Sequence, residues 1–271
     1  MTTPKTETLK VPGATLYYEV YGSGPTLFLI PGGMGDAGFY GAIAPLLADE
    51  FQVVTYDRRG NSRSPLDGPP TDLVVAEQSD DVRRILDQVG AGETYVFGNS
   101  GGAIIALDIA ARYPELAERV IAHEPPVVEL LPDVDRHRAF FADVLATYER
   151  EGSWAAMTTF LEGSGLVEEE QGEDLFEGEL EQRFAGNVDF FLAHEVRNFV
   201  RFVPDIASLR TNGANVVLCG GADSRDTYPY KAGVAVAELL GTRYVEFPGD
   251  HTGYLGHPVE FAAKLRDVLT P

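Results

Sequence analysis

Strand-like and helix-like segments alternate through the first and last parts of this 271-residue chain, which predicts an α/β fold with a mostly parallel sheet flanked by helices. Three observations carry the prediction. Short continuous apolar runs such as Thr26–Ile30 and Tyr95–Phe97, bounded by turn residues, read as strands buried on both faces. Amphipathic stretches such as Val75–Val89 lie between them. From Pro125 to about Asp205 only helix-like segments occur, so the sheet is interrupted once by a helical insertion.

Taken in order, Leu16–Tyr21 reads as a strand ended by Gly22-Ser23-Gly24-Pro25, and Thr26–Ile30 as one stopped by Pro31-Gly32-Gly33. Phe39–Ala48 reads as a helix, Gln52–Tyr56 as a strand and Val75–Val89 as a helix. Tyr95–Phe97 is a strand, Ala103–Arg112 a helix and Arg119–Ala122 a strand. The insertion has helical candidates at Ala139–Arg150, Trp154–Leu161, Leu175–Phe184 and Phe190–Phe202. Alternation resumes with strand Val216–Cys219, helix Tyr230–Leu240, strand Arg243–Phe247 and helix Val259–Leu269. The expected division is a core of residues 1–124 and 206–271 and a helical lid of residues 125–205. Between Glu124 and Asp205 stand 19 acidic and 6 basic residues, so −13 of the net −21 charge lies there, as on a segment exposed and set apart from the core.

That net charge argues against nucleic acid and anionic membrane surfaces, both of which need clustered Lys and Arg. The single cysteine, Cys219, lies in an apolar run and reads as a buried structural thiol. No apolar stretch approaches the ~18 residues of a membrane span. The first residues lack an apolar signal core, and a cytoplasmic location is expected. No His-x-x-x-His or Cys-x-x-Cys spacing suggests a metal, and no cofactor is implied. Oligomeric state leaves no signal.

Chemistry concentrates at Gly98-Asn99-Ser100-Gly101-Gly102, which follows a strand and opens a helix. A sharp turn there pushes the Ser100 hydroxyl into a cleft, and the flanking glycines let strand and helix approach without a Cβ clash. The helix N-terminus supplies N–H groups to negative charge forming on a substrate. A phosphate loop would carry a Lys after the glycines, where Ala103-Ile104 stand.

With that turn, Pro31-Gly32-Gly33-Met34-Gly35 after the third strand and Asp57-Arg58-Arg59-Gly60-Asn61-Ser62 after the next, the chain resembles the α/β-hydrolase superfamily over nearly all its length. The resemblance implies an eight-stranded, mostly parallel sheet with a lid after strand six. It implies an oxyanion hole made by the N–H groups of Gly33 and Gly101, and a mostly structural role for the Asp57 turn. Where many members have His-Gly, this chain has Pro31-Gly32, which keeps the backbone donors. His251, in the loop after the last strand, takes the position of the family's base. The other histidines, His123, His137, His194 and His257, read as ordinary surface or core residues.

Two positions compete for the acid that orients the base. Asp223 follows the seventh strand, the commonest site in the superfamily; Glu124 closes the sixth, 24 residues after Ser100. Glu124 is favoured, because the chain looks most similar to the zearalenone-type lactone hydrolases. The shared features are Tyr17-Tyr18-Glu19, the Pro-x-Gly loop, Ser62-Arg63-Ser64, His123-Glu124-x-Pro126 and His257-Pro258. Asp223 is the alternative. Met34, Trp154 and Tyr254, with Phe140, Phe141, Phe160, Phe190 and Phe191, are candidates for an apolar pocket. The expected activity is cleavage of a small apolar carboxylic ester or lactone through an acyl-enzyme. Cofactor-free perhydrolysis or carbon–carbon bond hydrolysis on the same triad, and a ligand receptor on a hydrolase scaffold, are the other readings.

Overall fold

The computed structural model describes residues 3–166, 179–211 and 215–269. Eight strands form one sheet: β1 (Lys5–Val11), β2 (Ala14–Tyr21), β3 (Thr26–Ile30), β4 (Gln52–Tyr56), β5 (Thr94–Asn99), β6 (Arg119–His123), β7 (Val216–Gly221) and β8 (Tyr244–Phe247). Their order is β1-β2-β4-β3-β5-β6-β7-β8. The β1–β2 and β2–β4 pairings are antiparallel, and the other five are parallel. β1 is the strand that apolar patterning misses. As an edge strand with one paired side it is largely exposed, and its charged Lys5, Glu7 and Lys10 suit an edge that must not recruit another chain.

Alternation within the central strands divides the core into two layers. Leu27 and Leu29 of β3 pack on one face with Val53, Phe97 and Ile121. Phe28 and Ile30 pack on the other with Val54, Val96 and the buried side of the helix Gly101–Arg112. The helices Val75–Val89, Tyr228–Leu240 and Pro258–Leu269 complete the layers. Because β3, β5, β6, β7 and β8 run parallel, the segments leaving their C-terminal ends open on one edge of the sheet, where open α/β sheets form their clefts.

Two helices differ from expectation. Phe39–Ala48 is broken into a 3-10 turn, Ala37–Tyr40, and a single helical turn, Ala44–Leu47, because Pro45 at the start of the second has no N–H to continue the first. Phe190–Phe202 is helical as far as Val200 but not regular: Glu179–Phe190 leads without a break into a π-turn, Phe191–Glu195, and then Val196–Val200. Of the expected helix Leu175–Phe184, residues 175–178 lie outside the described residues. The insertion also holds the helices Val134–Glu151 and Ser153–Ser164, and its described residues contain no strand. Among the described residues no helix is long and apolar enough to cross a membrane.

Candidate active site

The turn between β5 and its helix is a single residue. Ser100 sits at φ +55° and ψ −122°, a strained conformation for a side chain with a Cβ. Close packing enforces it. A Cβ on Gly98 would lie 2.2 Å from the Gly102 carbonyl oxygen, and one on Gly102 would lie 2.2 Å from that of Ile30. The Ser100 N–H donates to the His123 carbonyl at 2.9 Å, which ties the turn to the end of β6. Gly101 opens the helix, so its N–H is one of the orphan donors of a helix start. Gly33, Gly101, Ser100 and His251 all line one cavity.

His251 arrives on the loop after β8. The Asp223 N–H holds the Gly249 carbonyl at 2.9 Å, and Gly221 lies so close that a Cβ there would meet the Asp250 oxygen at 2.3 Å. The His251 Nδ1–H donates to Glu124 Oε2 at 2.6 Å. Glu124 is fully buried, and its other oxygen accepts from the Gly221 N–H at 2.8 Å and from the Ser224 hydroxyl. Burial by itself raises the pKa of this carboxyl. The hydrogen bond and charge of His251, the charge of His123 and the Ser224 hydroxyl outweigh it and hold the carboxyl below its ordinary value. Asp223, by contrast, is exposed at the turn after β7, where its backbone serves the loop.

Asn99 joins the two halves of the site, a role that sequence reasoning did not find. Its Nδ2 donates to the His251 carbonyl at 2.9 Å and lies 3.1 Å from His123 Nδ1, while its Oδ1 accepts from the Tyr254 hydroxyl at 3.2 Å. The available signal was a polar residue just after a fully apolar strand segment, inside the Gly-x-Ser-x-Gly turn. His123 itself points away from Glu124 into the core, as alternation requires, among Phe97, Phe247 and Phe261. Accepting from Asn99 at Nδ1 places its proton on Nε2, which has no partner. Burial lowers its pKa to about 4, against the opposing pull of the Glu124 charge.

The cavity, of about 210 Å³, is walled mainly by apolar side chains. Met34 and Tyr254 line it as expected, with Phe141, Phe160 and Phe191 from the insertion. Trp154 does not. It is 71% exposed, because the buried stripe of its helix runs through Ala156, Met157, Phe160 and Ser164 and leaves it outside. Phe140 packs against Gly163 and Phe190 against Gly60, away from the cavity. Phe39, Phe184, Phe199 and Tyr228 contribute to the wall instead, and scattered aromatic residues give no linear pattern that would have revealed them. Among the described residues no group of three or more His, Cys, Asp or Glu side chains is arranged to hold a metal.

The α/β hydrolase fold family model matches residues 25–160. The uncharacterized hydrolase YraK of Bacillus subtilis (strain 168) is 37% identical over 97% of this chain and 95% of its own length. The zearalenone hydrolase of Cladophialophora bantiana is a homologue, 27% identical over 92% of this chain and 91% of its own. A crystal structure of a hydrolase from Pseudomonas aeruginosa PA01 superposes with a TM-score of 0.74 at 23% identity, covering 98% of this chain and 99% of the other.

Two consequences are measurable. Gly102→Ala forces the backbone apart where a helix meets β3, so the urea midpoint should fall by an amount equivalent to about 1–3 kcal/mol. An unchanged midpoint would mean that the contact is slack. For His123 the folded pKa lies below the unfolded value of about 6.5, so the native state binds fewer protons than the unfolded chain. The associated stability is fully present above about pH 6.5 and is lost as the pH falls toward about 4. His123→Phe, tracked by urea unfolding across that interval, should therefore show a shallower loss than the unaltered protein.

Proposed function

Given that the chain belongs to the α/β-hydrolase family, we propose that it is a serine hydrolase cleaving an apolar carboxylic ester or lactone. Ser100 is the nucleophile, His251 the general base, and Glu124 the acid that fixes the imidazole tautomer. The observation that carries this reading is the 2.6 Å bond from His251 Nδ1 to the buried Glu124. With its Nδ1 proton committed there, the imidazole has Nε2 left as the basic nitrogen.

His251 removes the hydroxyl proton as Ser100 Oγ attacks the carbonyl carbon, and the carbonyl oxygen takes up negative charge. The Gly33 and Gly101 N–H groups stabilise that oxyanion, each contributing about 2.7–4 kcal/mol. Collapse of the tetrahedral intermediate expels the alcohol, which receives the proton from His251, and leaves an acyl-enzyme. Water, deprotonated by His251, then releases the acid and regenerates Ser100. In a lactone the alcohol and acid stay in one molecule, which leaves as a hydroxy acid. The apolar walls favour a hydrophobic acyl or ring portion and limit water around the reacting carbonyl. The described residues of the insertion act as a lid over this cavity, to which Phe141, Phe160, Phe191 and Phe199 contribute. The name of the zearalenone hydrolase homologue is a further reason to test lactones first.

Release of p-nitrophenol from a short-chain ester should be readily detected and abolished in Ser100→Ala. Tight binding of apolar esters without turnover would instead favour a receptor role. Glu124→Gln should lower kcat by about 10³–10⁴-fold, as when a triad acid is neutralised, while Asp223→Asn keeps most activity. The opposite ranking of those two variants would transfer the acid's role to Asp223. A panel of lactones, linear esters and diketones assayed side by side then reads substrate class directly.

A further inference from the structure

The backbone segment Gly32–Asp36, of which Gly32, Gly33 and Met34 line the cavity, is held partly by its own turn and partly from the insertion. Met34 within it has φ +64°, which disfavours a residue with a side chain. The segment closes on itself through the Gly35 N–H, which donates to the Gly32 carbonyl at 3.3 Å, and the Ser62 hydroxyl donates to Asp36 Oδ2 at 2.8 Å. Four further sets of contacts come from the stretch of the insertion between Arg183 and Glu195. Arg183 Nε donates to Asp36 Oδ2 at 2.6 Å, and Asn187 Nδ2 donates to the Met34 carbonyl at 2.9 Å. The Phe191 ring packs so tightly on Gly33 that a Cβ there would come within 2.4 Å of it. Glu195 accepts from Arg58 Nη1 at 2.5 Å and Nη2 at 2.8 Å, and the same Nη2 donates to the Gly32 carbonyl at 3.0 Å.

The Arg58–Glu195 pair is unusual in being wholly buried on both sides. Such a pair gains little stability over apolar residues of similar volume, because both charges have lost their hydration. Its geometry suggests a different use. The Gly32 carbonyl and the Gly33 N–H belong to one planar trans peptide unit and point in opposite directions. Gly32 and Gly33 both line the cavity, whereas Arg58 does not. A guanidinium that holds the carbonyl therefore also fixes the direction of the Gly33 N–H. Glu195, the last residue of the π-turn, is also held by Asn61 Nδ2 at 3.1 Å, so the carboxylate that fixes the guanidinium is itself fixed.

We infer that Arg58 and Glu195 are positioning residues for the oxyanion hole: Glu195 of the insertion orients the Arg58 guanidinium, which anchors the Gly32 carbonyl and aims the Gly33 N–H at the developing oxyanion. The inference rests on acyl transfer at Ser100. An interaction that counts only as charge develops affects kcat and leaves KM nearly unchanged.

The test is steady-state kinetics on p-nitrophenyl butyrate, with the thermal midpoint of every variant recorded beside it. Arg58→Lys keeps a cation against Glu195 but has no planar fork to reach both partners. Glu195→Gln removes the charge that holds the fork. In both, kcat should fall about 10–100-fold, part of the effect of losing a whole oxyanion donor, with KM within about 3-fold of the unaltered value. The double variant Arg58→Met/Glu195→Met removes both charges together and should retain most of the thermal midpoint, yet keep the low kcat. A structural pair predicts otherwise, namely that Arg58→Lys and the double variant turn over normally once folded. Normal kcat in either of those two, or a loss confined to KM, overturns the inference even if Glu195→Gln fails to fold. Ser100-dependent turnover with these variants unimpaired removes only this inference. Absence of Ser100-dependent turnover in the unaltered protein removes the hydrolase reading and this inference with it.

Discussion

A buried carboxylate must find partners for both its oxygens, and the candidate site is organised around that need at Glu124. Placed at the end of β6 with no exposure, its charge is tolerable only because His251, the Gly221 N–H and the Ser224 hydroxyl all donate to it. Two of the donors come from the end of β7 and its turn and the third from the loop after β8, so satisfying one carboxylate draws the β7 turn and the β8 loop together. The same approach delivers the imidazole to the cavity that Ser100 lines. Asn99, next to Ser100 in sequence, holds the His251 carbonyl and so links the β5 turn to the β8 loop.

Buried charge also ties the insertion to the core. Asp57 accepts from Arg63 Nε at 2.7 Å and Nη2 at 2.8 Å and from the Ala37 N–H at 3.0 Å, which fixes the turn after β4 against the segment after β3. Arg58, one residue on, reaches Glu195 across the insertion boundary. Arg59 forks onto Asp81 at 2.6 and 2.7 Å and secures the same turn to the helix Val75–Val89. Three consecutive charged residues thus serve three directions.

How much of the site was legible depends on whether its residues carry a local signature. Ser100 was readable because its turn imposes glycines at fixed offsets, and His251 because it follows the last strand of a resembled fold. The preference for Glu124 over Asp223 rested only on a closer resemblance, since both sit at strand ends and local sequence gives each a reason to be there; the structure bonds His251 to Glu124. The apolar wall was half legible: Met34, Tyr254 and three phenylalanines line the cavity, whereas Trp154 points outward. Helical spacing marks which side chains share a face but not which face meets the cavity. Strand β1 and the break after Tyr40 were missed for the complementary reason, since edge pairing and a proline restart depend on neighbours or single residues rather than on periodicity.

Sequence alone determined the α/β class, the helical insertion and the strained turn at Ser100, because each follows from hydrophobic period, turn chemistry or steric need within a few residues. Tertiary structure decided what meets across long separations. It paired His251 with Glu124 across 127 positions, joined Asn99 to the His251 loop and brought Glu195 onto Arg58. Those contacts exist because parallel strands bring remote loops to one edge and because buried charges must be paired. Neither constraint leaves a mark on the residues lying between.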